Sequence, residues 1–234
     1  MALTVLATAC SDTGDPPTDG RSPQRLPKGS EPIVLDPADF VKAIDHRFWP
    51  MAPGSVWVYE EGDQRVEVTV TAETREIEGI TATVVHGVVT EGGNVVEDTF
   101  DWYAQDASGT IWYLGEDTKE YEDGKVVSTE GSWEHGVDGA FAGVLLPGTL
   151  SVGQSYRQEY HAGEAEDHGQ IVSTNASARV PFGSFEGCLQ SEDTTPLDPE
   201  FLEHTYYCEG VGLVLAVSVT PDSVREELVS FEAG

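Results

Sequence analysis

The stretch EYHAGEAEDHGQ, from Glu159 to Gln170, gathers the densest set of metal-capable side chains in the chain. It holds the histidines His161 and His168 and the carboxylates Glu159, Glu164, Glu166 and Asp167. Imidazoles beside carboxylates can bind Zn²⁺ or another transition ion, and carboxylates alone suit Ca²⁺. The candidate metal set is therefore His161, Glu164, Glu166, Asp167 and His168, with Ca or Zn as the ion. No HExxH, CxxC or EF-hand spacing accompanies it, and a solvated acidic hairpin loop accounts for the same residues. A second patch, GSWEHGVDGAFAG, sets Trp133, Glu134, His135 and Asp138 among glycines. If the two patches meet, Glu134 or Asp138 can pair with Glu159 or Glu166 as general acid and base. Those four carboxylates are the candidate catalytic set, with Trp133, Arg157 and Tyr160 as candidate substrate contacts. Arg157 stands out in a chain of 12 bases and 42 acids. It either pairs with a buried carboxylate or clamps an anionic substrate group.

These residues need strands to hold them. After Pro53-Gly54 the apolar period is two: RVEVTVT alternates Val66, Val68 and Val70 with Glu67, Thr69 and Thr71. ITATVVHGVVTE and VVEDTFDWYAQ flank Gly92-Gly93-Asn94 as a hairpin, and Asp106–Gly109 and Glu122–Gly124 read as further turns. Glycines interrupt the rhythm from Glu130 to Gly153, and strands resume at SYRQEYH and continue to SVREELVSF. On a regular pleat, Tyr156, Gln158 and Tyr160 face one way and Arg157, Glu159 and His161 the other. The expected fold is all-β: an antiparallel meander of roughly ten to twelve short strands closing into a lipocalin-like barrel or half-barrel. A two-sheet sandwich is the alternative. One short N-terminal helix is expected, capped by Asp36, opened by Pro37 and running to about Ile44.

The net charge is −30, with a sequence pI near 4.2. Such a surface repels nucleic acid and anionic membranes. It suits general solvation, divalent cations or a cationic ligand. The first residues, MALTVLATAC, end in small residues before Cys10, like the end of a lipoprotein signal peptide. Residues 1–10 are read as a signal-peptide remnant with Cys10 lipidated. Residues 11–33 are read as a flexible linker, and 34–234 as a single β-barrel domain. Contact with a membrane is then expected only through the lipid anchor, in the cell envelope or as a secreted form. Cys188 and Cys208 are left as a pair that can form a disulfide in an oxidising compartment. Neither has a histidine or basic neighbour that would make it a nucleophile.

FWPMAPGSVWVYE, DWYAQDASGTIWYLGE, GSWEHGVDGA, YRQEYHAGEAED and TYYCEGVGLVLAV together resemble a widespread family of exported bacterial proteins, mostly lipoproteins, marked by WExGVDGA and YRQEYxxGxAED segments. The resemblance runs from about Phe48 onward and implies a fold and an envelope location, without an activity. In the family pattern the positions of His135, His161 and His168 are not fixed, which implies a role for the carboxylates over the histidines. Cys208 replaces a small residue of that pattern, which implies that a Cys188–Cys208 bridge is local to this chain. The sequence therefore predicts an exported, lipid-anchored barrel that binds a small ligand or divalent cation at its acidic loops, without catalysis. The alternative is a carboxylate- or metal-dependent hydrolase of a phosphate ester or glycoside using the same loops. A third possibility is an envelope protein that displays those loops to another protein.

Overall fold

The computed structural model describes residues 25–219 and 223–234. Cys10 and the linker up to residue 24 lie outside the described residues. A first meander comprises Val56–Glu61 (β1), Gln64–Ile77 (β2), Ile80–Glu91 (β3), Asn94–Gln105 (β4) and Ile111–Glu122 (β5). Short strands follow at Lys125–Ser128 (β6), Trp133–Glu134 (β7), Phe141–Leu146 (β8), Ser155–Arg157 (β9) and Glu159–Tyr160 (β10). A second meander comprises His168–Val180 (β11), Gly183–Thr194 (β12), Leu202–Cys208 (β13), Gly212–Ser218 (β14) and Arg225–Glu232 (β15).

All pairings are antiparallel, and the sheet runs β10-β8-β5-β4-β3-β2-β1-β15-β14-β13-β12-β11-β9, with β6 and β7 also on β5. Pairing of β1 with β15 joins the two meanders. The sheet curls into a half-barrel whose ladder does not close. Its two edge strands, β9 and β10, are neighbouring stretches of one segment, so the chain itself crosses the seam at Gln158. The expected single strand SYRQEYH is thus split. Arg157 pairs with His168 on β11, whereas Glu159 and Tyr160 pair with Ala142 and Phe141 on β8.

Among the described residues fifteen strands form where ten to twelve were expected, because the interrupted region 130–160 supplies β8 and three strands of only two or three residues. The expected helix is shorter. Asp36 accepts a hydrogen bond from the Ala38 amide at 2.9 Å and Pro37 opens the turn, but only a 3-10 turn over Pro37–Asp39 forms. Phe40 then returns to extended backbone and bridges Asp106, while the Val41 amide donates to the Gln105 carbonyl at 2.9 Å. Sheet pairing takes the amides a longer helix would have used.

One end of the half-barrel is filled and the other is open. Trp57, Ile111, Trp112, Leu146 and Leu228 form part of a fully buried apolar core. The segment from Leu35 to Met51 caps it: Trp49 packs edge-on against Trp57, and Asp45 and Gln105 hydrogen-bond at 2.7 Å. At the opposite end, the β1–β2, β3–β4 and β5–β6 hairpins rim a mouth. A cavity of about 530 Å³ there is lined by Glu61, Glu97, Glu120, Glu122 and Glu226, among others.

Candidate functional site

The register puts a single set of residues on the concave face. Directly opposed residues in an antiparallel ladder share a face, and successive inward positions are two apart. On the first wall, β4 presents Glu97, Thr99, Asp101 and Tyr103 to Glu120, Thr118, Glu116 and Tyr113 of β5. Tyr113 and Glu116 have opposite parity. A bulge at Leu114-Gly115 brings both inward. Gly115 has φ +141°, and an added Cβ there would lie 2.3 Å from the Trp133 carbonyl oxygen, so only glycine lets β7 pair at this point. On the second wall, Gly169 of β11 opposes Asp193 of β12, which opposes Glu203 of β13, with Ser191 and Thr205 one step deeper. Glu61 of β1 faces Glu226 of β15 and completes the surface.

The result is an acidic trough with tyrosine in its walls. Tyr103 and Tyr113 stack at 4.7 Å between ring centres, and the Tyr113 hydroxyl donates to Asp101 at 2.5 Å. The Asp193 carboxylate accepts from Thr205 at 2.6 Å, Ser191 at 3.0 Å and Gln158 at 3.1 Å. At the seam, the Trp133 indole N–H donates to Glu159 at 2.8 Å and its ring meets Tyr113 edge-on. Glu159 and Asp167 influence each other there: burial and then the charge of Asp167 raise the Glu159 carboxyl, and burial raises that of Asp167.

These carboxylates lack ion pairs: among the described residues, none includes Glu61, Glu97, Asp101, Glu116, Glu159, Asp167, Asp193, Glu203 or Glu226, although the charge of His168 acts on Asp167. Most keep some contact with solvent along the open face, yet protein surrounds them closely enough to disfavour the charged form. Burial pushes Asp101 and Asp193 up to about 6, their hydroxyl donors offsetting part of the rise. Burial, then repulsion from Asp193 and Glu61, raises Glu203 to about 7. Burial, then Glu61 and Glu203, raises Glu226 to about 8. Glu116 is raised by burial and by repulsion from Glu159 and Asp101, and Glu159 by burial and its neighbour Asp167. These influences link all parts of the trough into one electrostatic unit.

Four buried side-chain atoms have no hydrogen-bond partner among the described residues, Trp49 Nε1, Arg157 Nε, His161 Nδ1 and the Tyr156 hydroxyl, and the last of these lies on the trough face. Tyr156 is 1% exposed, and its hydroxyl has no hydrogen-bond partner. It sits opposite Gly169 on the trough face, where an added Cβ would come within 3.0 Å of that hydroxyl, and the charge of Asp193 acts on it.

The residues singled out from sequence separate into those the trough uses and those it does not. Trp133 and Glu159 belong to it, and Asp167 joins them as Glu159's partner rather than as a metal ligand. Glu134 and Asp138 do not meet Glu159 or Glu166. Glu134 points from the outer face to an ion pair with Arg75, which in turn lies over the Trp102 ring at 3.9 Å. Asp138 sits exposed in a turn at φ +48°. Glu166 accepts from the Gly163 amide at 2.7 Å within its own loop, and Glu164 is exposed. The expected catalytic set is therefore dispersed by strand parity.

The expected metal set is dispersed too. His168 Nε2 lies 3.0 Å from the Lys28 carbonyl oxygen, while His161 bridges back to Ala165. Among the described residues, no group of three or more His, Cys, Asp or Glu side chains is placed to hold a metal ion. Arg157 is a seam clamp instead of an anion site. Fully buried, it donates to the Gly29 and Glu31 carbonyls, the latter at 2.8 Å, and to Ala142 on β8 at 2.7 Å. Phe141 and Tyr160 stack at 5.9 Å beside its guanidinium, which gives Tyr160 a structural place. The described end of the linker is thereby pinned: the Arg157 amide also donates to Pro27 at 2.8 Å. Cys188 and Cys208 form a disulfide.

Sequence reasoning missed Asp101, Glu116, Asp193, Glu203 and Glu226. A readable signal existed: an acid two residues from a buried side chain on the same strand face, as in Glu61 with Tyr59, Asp101 with Tyr103 and Glu226 with Leu228.

No protein-family model matches the chain, and no curated protein matches it. Two solved structures are similar in shape. One is a presumed lipoprotein of Parabacteroides distasonis, at a TM-score of 0.45 and 13% identity, with 80% of this chain and 99% of that one covered. The other is a presumed exported protein of Bacteroides fragilis with a YmcC-like fold, at a TM-score of 0.45 and 12% identity, with 82% of this chain and 100% of that one covered.

Proposed function

We propose that this chain is an exported, lipid-anchored half-barrel that binds a small ligand inside its trough and not at its loops. The observation that carries this reading is the combination of unbalanced carboxylates with the buried, unpartnered Tyr156 hydroxyl. Burying polar groups without partners is unfavourable, and a ligand that supplies those partners removes the penalty. Export rests on the lipobox-like Cys10, on the resemblance to exported lipoproteins and on the Cys188–Cys208 disulfide, which persists in an oxidising compartment. Fractionation with metabolic lipid labelling tests it: label in the membrane fraction is expected for the natural chain and absent after Cys10→Ala.

Binding is tested by thermal-shift screening against amines, neutral sugars and Ca²⁺. A stabilising compound is expected whose effect is lost in Glu159→Gln and kept in the loop variant Glu164→Gln/Glu166→Gln. The reverse pattern, or no stabilising compound, sinks the trough as the site.

A second reading has one specific observation in its favour. Glu159 and Asp167 are interacting carboxyls, both raised above their ordinary range by burial, the kind of environment in which paired carboxyls divide into acid and base. A hydrolase of glycosides or phosphate esters would then use this pair in place of Glu134, Asp138 and Glu166. A hydrolysis panel with Glu159→Gln and Asp167→Asn decides: turnover abolished by both establishes this reading, and turnover unaffected by either removes it.

A further inference from the structure

The geometry of the trough narrows the ligand class, on the assumption that the trough is the binding site. Its carboxylates are distributed and not convergent. Glu97 and Asp101 lie four residues apart on one face of β4, about 13 Å along the strand. Glu203 and Asp193 oppose each other on the second wall, and Glu159 with Asp167 stands at the seam. A metal ion needs its oxygens within about 2.3–2.6 Å, and no described group of three ligands is placed to provide that. A single ammonium would answer one of these acids and leave the others unbalanced.

The walls add aromatic surface to the charge. Tyr103 and Tyr113 stack beside Asp101, Trp133 lies edge-on to Tyr113, and Tyr207 is buried one step below Thr205. Aromatic faces favour alkylammonium groups, and their ring surfaces pack the methylenes between them. The mouth is wide and acidic, with Glu61, Glu97 and Glu226 at its rim, so it draws cations in along the trough axis. At the inner end the Tyr156 hydroxyl is a buried donor without an acceptor in the protein. Its ring covers Gly169 opposite Asp193, so the hydroxyl marks the inner end that a terminal polar atom of the ligand would reach.

We propose that the trough binds a linear organic cation carrying two or more ammonium groups separated by methylene chains, a polyamine-type molecule laid from the Glu61–Glu226 mouth towards Tyr156. Each ammonium finds a carboxylate on one of the two walls, and each methylene run finds a tyrosine or tryptophan face.

Isothermal titration of the folded chain near pH 7.5 with spermidine as the probe tests this, with butylamine, Ca²⁺ and a neutral trisaccharide as comparators. Spermidine is expected to bind at least about tenfold more tightly than butylamine or Ca²⁺. Repeating the titration in two buffers of different protonation enthalpy is expected to reveal proton release, because carboxyls that hold protons in the empty trough give them up to the cation. Asp101→Asn and Glu203→Gln, on opposite walls, are each expected to weaken spermidine by about tenfold or more. These replacements keep side-chain shape, and their melting curves check that they fold. Spermidine binding no tighter than butylamine or Ca²⁺, or unchanged in both wall variants, overturns the polyamine assignment. If the trisaccharide binds and is displaced by trough substitutions while spermidine is inert, the ligand class falls and the trough remains the site. If no probe binds, both fall together.

Discussion

Glu116 and Glu134 are near neighbours on paired strands, and they illustrate two kinds of acid in one protein. β5 pairs with β7 so that Glu116 opposes Trp133 and Gly115 opposes Glu134. One step of the pleat separates them. Glu134 faces outwards, meets the Arg75 guanidinium and shares it with Trp102. Glu116 faces inwards, finds no cation, and is raised by burial and by repulsion from Glu159 and Asp101. The outer acid is a solvated surface charge with a partner. The inner acid belongs to a set with no ion pair among the described residues. Overall charge, −30 along the whole sequence, does not distinguish the two kinds; strand parity does.

The sharpest way to break that contrast is to remove the bulge that creates it. Gly115→Ala places a Cβ 2.3 Å from the Trp133 carbonyl at a backbone conformation hostile to side chains. Unfolding in denaturant is expected to show a loss of about 3 kcal/mol or more. A loss under about 1 kcal/mol would mean that β7 tolerates the shift and that the bulge does not fix Glu116 and Tyr113 on one face.

The second test uses pH. Asp101 and Asp193 are pushed up to about 6, Glu203 to about 7 and Glu226 to about 8, all above the values carboxyls have in an unfolded chain. Between those unfolded values and the folded ones, the native state binds more protons than the unfolded state. Stability is therefore fully present below about pH 4 and lost as pH rises through 6 to 8. The melting temperature is expected to fall by about 5 °C or more between pH 5 and pH 9. A protein whose acids all resembled Glu134 would hold or gain stability over that range, so a flat or rising profile refutes the distinction.

Much of the architecture was legible in the chain, and the reasons are local. Period-two runs located β2 and β3, Gly92-Gly93 fixed the β3–β4 hairpin, and Asp106–Gly109 and Asp123-Gly124 fixed the next turns. A hydrogen bond joins the Trp133 and Glu159 side chains, and that the patches around them could meet was also readable. The seam was not, because the split at Gln158 depends on β8 and β11 competing for one segment, a contact between residues far apart in sequence. That split also defeats the pleat rule: Tyr156 and Glu159 have opposite parity yet both reach the trough. The bulge at Leu114-Gly115 does the same for Tyr113 and Glu116. Sequence reading favoured acids that cluster along the chain, whereas the trough assembles single acids from seven strands.

A third test isolates individual members of the inner set. Glu226→Gln removes a group whose ionised form is disfavoured by burial and then by Glu61 and Glu203. It is expected to stabilise the protein by about 1 kcal/mol or more at pH 9, by less at pH 5, and to have little effect near pH 3, where Glu226 is protonated in both the folded and the unfolded chain. Glu116→Gln is expected to act in the same direction. Destabilisation at pH 9 by either amide would show that the inner carboxylate has a cationic partner after all.

The smallest effect is expected on the outer face, and it completes the comparison. Glu134 and Arg75 form an ion pair at a surface where their side chains are 25% and 47% exposed. Surface pairs are screened by solvent and salt, and holding two long side chains together offsets part of the attraction. Glu134→Gln should therefore lower stability by under about 1 kcal/mol, and the deficit should shrink in high salt. Its sign is the informative part. Loss of an outer acid removes an attraction and destabilises, whereas loss of an inner acid removes a repulsion and stabilises at high pH. If Glu134→Gln and Glu116→Gln shifted the melting temperature in the same direction at pH 9, the pleat would not be what sorts the acids of this chain.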